Sequence, residues 1–315
     1  MEVATQQEAK NWNLYKFAHY FKHPELRTKT VNVISLEFSN TKMADLVTRP
    51  TLVRQLDWIE TVWPKSAKPP KVQLYCLMSV ANCFTDFHID FGGTSVFYHV
   101  MSGEKVFYFI PPTQRNLKTY EKWGQSPEQG ETFLGDLVSC CYECHLRAGQ
   151  TLIIPSGWIH AVFTPADSLV IGGNFLQGLD IGMQLAIHQI EERSNVPEKF
   201  RFPHFARMQW YAADHYRRCL LGTCLLFSAC GDHQNLFSAP FSDNAPPLLS
   251  WELDGLPALV AYLQESLKKP GKDLEERVQY RYIPFSLDVA RKVAEDLEVL
   301  VQRALDKQQR ILSSV

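Results

Sequence analysis

The sequence predicts a mainly β protein with flanking helices: a closed or double-sheet antiparallel architecture of the jelly-roll kind, followed by a C-terminal helical appendage. Three observations predict it. Short runs rich in β-branched and aromatic residues alternate with Gly, Pro and Ser punctuation from residue 31 to residue 176. A His-x-Asp pair, His88 and Asp90, is answered far downstream by His160, as a barrel mouth would bring such residues together. A polar, Pro-rich stretch over 231–250 then gives way to two helical stretches.

Taken in order, residues 11–22 set Leu14, Phe17, Ala18 and Phe21 at helical spacing. Val31 to Phe38 reads as a strand, and residues 43–61 as helix interrupted near Pro50. Val72 to Val80 is a strand leading into the His-x-Asp segment. Val96 to Val100, a Ser-Gly-Glu turn and Lys105 to Ile110 read as a hairpin. Asn116 to Trp123 is a short helix, and strands return at 143–147, 151–154, 159–164 and 168–176. Helices follow at Gly182 to Arg193 and Phe205 to Leu221. Beyond the break, Trp251 to Lys268 and Ser286 to Ile311 read as helices. The second gathers Ala290, Val293, Leu297, Leu300, Val301 and Ala304 on one face. The organisation expected is 1–60, helical and strand support; 61–180, the catalytic barrel; 181–230, helices packing on it; 231–250, a linker; and 251–315, the C-terminal helical region.

Composition narrows the class. Hydrophobic residues at 45% and charged residues at 21% indicate an ordinary globular protein. A net charge of −2 argues against broad electrostatic attachment to nucleic acid. The N-terminus is polar and charged, without a secretory signal. The longest apolar stretch, Cys219 to Cys230, falls short of the roughly 20 residues a membrane span needs, so no membrane partner is expected. Eight cysteines then read as reduced thiols. In the cluster Cys140, Cys141, Cys144, only the last two have metal-ligand spacing and no second pair follows, which favours free thiols over zinc. No GxxxxGK[ST] or GxGxxG occurs, and no Gly-x-Ser-x-Gly elbow supports a serine triad.

The chemistry lies in the histidines. With 10 His and 34 Asp plus Glu in 315 residues, roughly one His-x-acid match arises by composition alone. His23-Pro24-Glu25 is such a match, set in a charged Pro-containing stretch that favours a loop. His88 and Asp90 are better placed: two apart on a strand, they share a face, with Ile89 opposite and Gly92-Gly93 turning the chain. The Pro155-Ser156-Gly157 turn can aim His160 into the same barrel from a second, non-adjacent strand. Two imidazoles and one carboxylate on one face of a metal leave the other face open for chemistry, the ligand set of non-haem Fe(II) oxygenases.

Longer motifs carry a resemblance. Asn32-Val33-Ile34-Ser35-Leu36-Glu37-Phe38-Ser39, Tyr75 to Val80, Thr85 to Ser95, Ile154 to Val162 and Gly172-Gly173-Asn174-Phe175-Leu176 closely resemble the JmjC histone lysine demethylases, over about residues 12–218. Ile110-Pro111-Pro112-Thr113, Phe133 to Asp136, Val196 to Phe200 and Trp251 to Leu256 look like the F-box/leucine-rich-repeat JmjC group. Gly103-Glu104-Lys105 and Cys141-Tyr142-Glu143-Cys144 look more like the PHD-JmjC group.

The resemblance implies a double-stranded β-helix, the cupin-like JmjC barrel, using Fe(II), 2-oxoglutarate and O2. His88, Asp90 and His160 match the metal ligands and so the catalytic centre. Lys105 matches the lysine that pairs with the distal carboxylate of 2-oxoglutarate, and Thr85 and Tyr98 the hydroxyl donors beside it. Asn32 matches an amide near the co-substrate, and Asn174 a polar group just outside the ligands. The implied reaction hydroxylates an N-methyl group and releases formaldehyde. The implied substrate is mono- or dimethylated lysine 36 of histone H3, or lysine 9 or 27 if the PHD group is nearer. The implied partner is the histone tail or nucleosome, in the nucleus. A JmjC protein hydroxylase and a non-catalytic chromatin scaffold are the rival expectations; a scaffold would be expected to have lost one of the matched positions, and here all are intact. The chain shows no PHD finger, CxxC zinc finger, F-box or leucine-rich repeats, so it reads as a catalytic module with direct DNA binding left open.

Overall fold

A computed structural model describes residues 12–222, 248–268 and 282–313. The expected linker at 231–250 lies almost entirely outside them. The chain forms two compact units. One comprises residues 1–54, 71–175 and 187–201; the other comprises 55–70, 176–186 and 202–315.

The first unit holds a seven-stranded antiparallel sheet: β1 (Asn32–Glu37), β2 (Tyr75–Ser79), β3 (Cys83–His88), β4 (Ser95–Ile110), β5 (Tyr142–Arg147), β6 (Thr151–Ile154) and β7 (Ile159–Phe175). It is the jelly-roll-like, mainly β fold that the strand pattern predicts. Two expectations are corrected. The hairpin expected over 96–110 is one continuous strand, and so is the pair expected at 159–164 and 168–176. β4 and β7 pair with each other along their whole lengths, so the Ser-Gly-Glu segment has a partner strand beside it and does not reverse the chain. The register shifts between Val100 and Val106, and Gly103 takes φ +82°, so the strand bulges and bends instead. One half of β7 pairs with β2 and the other with β3, while the two halves of β4 pair with β6 and β5. The two bent strands thus serve two layers, and their inner faces enclose Val96, Tyr98, Val100, Phe107, Leu146, Ile154, Val162 and Val170.

Helices α1 (Leu14–Lys22) and α4 (Gln114–Gly124), capped by Asn13 and Thr113, also belong to this unit. Arg27 clasps Asp167 with both terminal nitrogens, at 2.8 and 2.5 Å, and also donates to the carbonyls of Tyr20 and Phe21. Asp167 accepts the Ala81 amide as well, so one ion pair ties the helix end to the bend of β7. Gly173 sits where a Cβ would lie 2.0 Å from the Gln73 carbonyl and 2.7 Å from the Phe97 ring. Gly173→Ala is expected to destabilise the fold by about 1–3 kcal/mol through overpacking, read as a lowered urea midpoint.

In place of one interrupted helix over 43–61, short helices α2 (Thr51–Leu56) and α3 (Trp58–Thr61) follow a 3-10 turn at Ala44–Leu46. Asp57 caps α3 by accepting the Ile59 amide at 2.9 Å. α5 (Ile181–Arg193) follows the barrel. The second unit includes α6 (Phe205–Leu220), α7 (Ser250–Lys268) and α8 (Leu287–Ser313). These three helices contact one another, and Met208, Ala212, Leu256, Leu259, Leu263, Val293, Leu297 and Leu300 on them are all buried, as the amphipathic pattern of α8 requires.

Candidate active site

β3 ends at His88, and Asp90 stands just past it with φ −60° and ψ 142°, opening a tight turn over Phe91–Gly93. The strand expected to carry both residues therefore carries only the first. The strands supplying the histidines, expected to be non-adjacent, are hydrogen-bonded neighbours: β3 pairs with β7, and His88 and His160 are register partners. Their rings lie 4.3 Å apart.

Local hydrogen bonds fix what each side chain presents. His88 Nδ1 lies 2.8 Å from the Asp86 carbonyl and His160 Nδ1 lies 3.1 Å from the Trp158 carbonyl. A carbonyl only accepts, so each Nδ1 carries the proton and each Nε2 offers a lone pair. Asp90 Oδ1 accepts from Asn174 Nδ2 at 3.1 Å, and Asp90 Oδ2 lies 3.7 Å from His160 Nε2. One ligand atom from each of the three lies within 4.8 Å of the others, and they are the one such group of His, Cys, Asp or Glu among the described residues. Burial, with His88 alongside, lowers the His160 pKa, which keeps the imidazole neutral, as a metal ligand requires. The 140–144 cysteines form no such group. His23 and Glu25 pair with each other at 3.2 Å on an exposed turn, as expected of a chance match.

The three line a cavity of about 210 Å³, and Asn32, Thr85, Tyr98, Lys105 and Asn174 line it too. All eight sequence-derived candidates thus meet in one place. Bulges make this possible. Thr85 and His88, three apart, would face opposite sides of a regular strand, and the register shift between them turns both inward. Tyr98 and Lys105, seven apart, are reconciled the same way across the bend of β4. The remaining walls are apolar, from Leu77, Val96, Phe107, Ile154 and Val162.

Lys105 is the electrostatic anomaly. It is 3% exposed, and among the described residues its ammonium donates only to hydroxyls, Ser79 Oγ at 2.7 Å and Thr164 Oγ1 at 2.8 Å. Ser79 passes the chain on by donating to Asn32 Oδ1 at 2.7 Å. Burial pulls the Lys105 pKa down to about 7, with no carboxylate raising it. A buried cation without a counter-ion in a cavity opening on three metal-ligand atoms fits a ligand that carries its own negative charge. The donor set fits a divalent metal and the lysine fits an anionic co-substrate. Ser79 and Thr164 were not found from sequence. Ser79 left a weak trace, a polar residue closing an apolar strand; Thr164 left none, since threonine is ordinary in strands.

Two imidazoles and a carboxylate gathered in one cavity of an antiparallel β fold form a group that could hold a metal ion, with the donor set of a facial triad. Comparisons agree with that class. Residues 75–175 match the family described as JmjC domain, hydroxylase, and residues 179–222 match the Jumonji helical domain. Lysine-specific demethylase 2A of Xenopus tropicalis is 50% identical over 236 residues, covering 70% of this chain and 20% of that protein. JmjC domain-containing histone demethylation protein 1 of Aspergillus fumigatus is 54% identical over 222 residues, 69% and 16% of the two chains. Lysine-specific demethylase 7B of Danio rerio is 52% identical over 215 residues, 68% and 37%. Residues 75–175 thus carry a JmjC domain, with a Jumonji helical domain after it, and the chain spans less than two fifths of the length of each of these relatives.

Proposed function

We propose that this chain is an Fe(II)- and 2-oxoglutarate-dependent histone lysine demethylase, with mono- or dimethylated lysine 36 of histone H3 as the favoured substrate. The observation that carries the proposal is the joint placement of His88, Asp90 and His160 at one end of a cavity whose other end holds Lys105 without a counter-ion. The two Nε2 atoms and Asp90 Oδ2 would hold the metal. Asn174 keeps Asp90 turned by occupying Oδ1. Lys105, Thr85 and Tyr98 would bind the distal carboxylate of 2-oxoglutarate, and the Asn32 amide would lie beside the co-substrate. Apolar walls exclude water around the reacting centre. Bound there, Fe(II) with 2-oxoglutarate and O2 supplies hydroxylation of an N-methyl carbon, coupled to release of succinate and CO2. The hydroxymethyl amine then loses formaldehyde and leaves the shortened amine. Relatives named as demethylases support the histone tail as partner and, with it, a nuclear setting.

Lysine 36 rests on the segments that resemble the F-box/leucine-rich-repeat group. A second reading, lysine 9 or 27, rests on the resemblance of Gly103 to Lys105 and Cys141 to Cys144 to the PHD-JmjC group. Formaldehyde release from histone H3 peptides dimethylated separately at lysines 9, 27 and 36 separates the two. Release from the lysine 36 peptide alone supports the first, and release from the others alone rejects it. Oxygen gain without formaldehyde would mark a protein hydroxylase.

Ser79 supplies a further test. Ser79→Ala removes one of two acceptors on the Lys105 ammonium, a loss of about 1–3 kcal/mol. Co-substrate binding, followed by calorimetric titration, is expected to weaken about tenfold or more, with Ser79→Thr nearer the parent.

A further inference from the structure

We propose that Glu191 is a positioning residue of the metal site, holding the backbone turn from which Asp90 projects. The proposal rests on the assignment of His88, Asp90 and His160 as ligands. Glu191 lies in α5, is 8% exposed, and accepts the Gly92 amide through Oε1 at 2.7 Å across 99 residues of sequence. Gly92 is two residues past Asp90.

The turn has little of its own to hold it. Gly93 and Thr94 amides bond back to the Asp90 and Phe91 carbonyls at 3.0 and 3.2 Å, and both glycines sit at φ 61°. Two adjacent left-handed glycines are readily reached and readily lost, since glycine gives up more freedom on folding than any other residue. The turn is instead held from outside: Ser156 Oγ donates to the Gly93 carbonyl, Asn174 holds the Asp90 side chain, and the Tyr120 hydroxyl meets the Ile89 backbone. Glu191 is the one charged group among these restraints, and a carboxylate accepts an amide more strongly than a neutral oxygen does.

The cost of this arrangement marks it as more than packing. Glu191 Oε2 is buried and makes no hydrogen bond among the described residues; it faces His188 Nδ1 at 3.6 Å, an ion pair when that imidazole is protonated. A half-satisfied buried carboxylate is expensive, and a purely structural wall would be served better by an apolar side chain. The main chain at Glu191 is itself anchored, since its carbonyl accepts the Val196 amide at 3.0 Å and Arg201 Nη2 at 3.3 Å. A fixed carboxylate on a fixed helix end therefore sets the height of the Gly92 amide, and with it the position of Asp90.

The test uses the full chain, free of metal and then titrated with Mn2+ followed by electron paramagnetic resonance. Backbone hydrogen exchange over residues 89–94 is measured in the metal-free protein. Glu191→Ala is expected to weaken Mn2+ binding about 10–100-fold, the usual effect of losing a group that orients a ligand, and to speed exchange in the turn. Glu191→Gln, which still offers an oxygen to the amide, is expected to stay within about threefold of the parent. A wall without a positioning role would lower the melting temperature and leave Mn2+ affinity unmoved. If Glu191→Ala does not fold, Glu191→Asp takes its place, since withdrawing the carboxylate by one methylene is expected to weaken Mn2+ binding by a smaller factor. Parental affinity and exchange in the folded variant would overturn the proposal while leaving the ligand assignment intact, provided Asp90→Ala has lost Mn2+. Parental affinity in Asp90→Ala would overturn both.

Discussion

Lys105→Met is expected to weaken 2-oxoglutarate binding by at least about a hundredfold, or roughly 3 kcal/mol, while making the ligand-free chain more stable at neutral pH. The two effects share a cause. The ammonium is buried against hydroxyls alone, so its charge is costly until an anion arrives. Its pKa in the folded chain is about 7, below the 10.5 of an ordinary lysine. Between those values the unfolded chain holds a proton that the folded chain has released. Stability of the ligand-free protein therefore rises as pH climbs from about 7 towards 10.5, and the cost is fully present below 7. Methionine removes that slope, which thermal melts across the alkaline range will read. Binding a dicarboxylate restores the charged form, so it takes up a proton and weakens as pH rises above about 7. Calorimetry in buffers of different ionisation enthalpy measures the uptake directly.

The second large effect is at Asp90. Asp90→Asn is expected to reduce turnover to background and to cost more metal affinity than the roughly 10–100-fold that loss of an orienting partner costs. The reason lies in Asn174. Its Nδ2 donates to Asp90 Oδ1, so an asparagine at position 90 would satisfy it with its own Oδ1 and turn an NH2 group, a donor without a lone pair to give, towards the metal position. The substitution is nearly isosteric, so the fold should survive it, as an unchanged melting temperature of the metal-free protein would verify. Substitution of His88 or His160 by alanine is expected to be as damaging to turnover.

What was legible in the sequence follows from the range over which each feature is encoded. The short β-rich runs and the amphipathic face of α8 are local, and they were read correctly. The continuity of β4 and β7 was not, because a Ser-Gly-Glu segment has the composition of a reversing turn, and only pairing with a strand some 60 residues away makes it a bulge. The same blindness hid the register partnership of His88 with His160. The eight candidate residues were legible because their motifs are contiguous and resemble a known family. Residues that act on them from a distance, Ser79 and Thr164 on Lys105 and Glu191 on Gly92, are joined only by the fold.

The measurement that tests the central claim most directly is mass spectrometry of a histone H3 peptide dimethylated at lysine 36, incubated with this chain, Fe(II), ascorbate and 2-oxoglutarate, beside the Asp90→Asn variant. The proposed function predicts stepwise loss of one and then two methylene masses, with formaldehyde and succinate formed, in the parent alone. A peptide unchanged in mass, or loss of methyl groups equally in parent and variant, would contradict it.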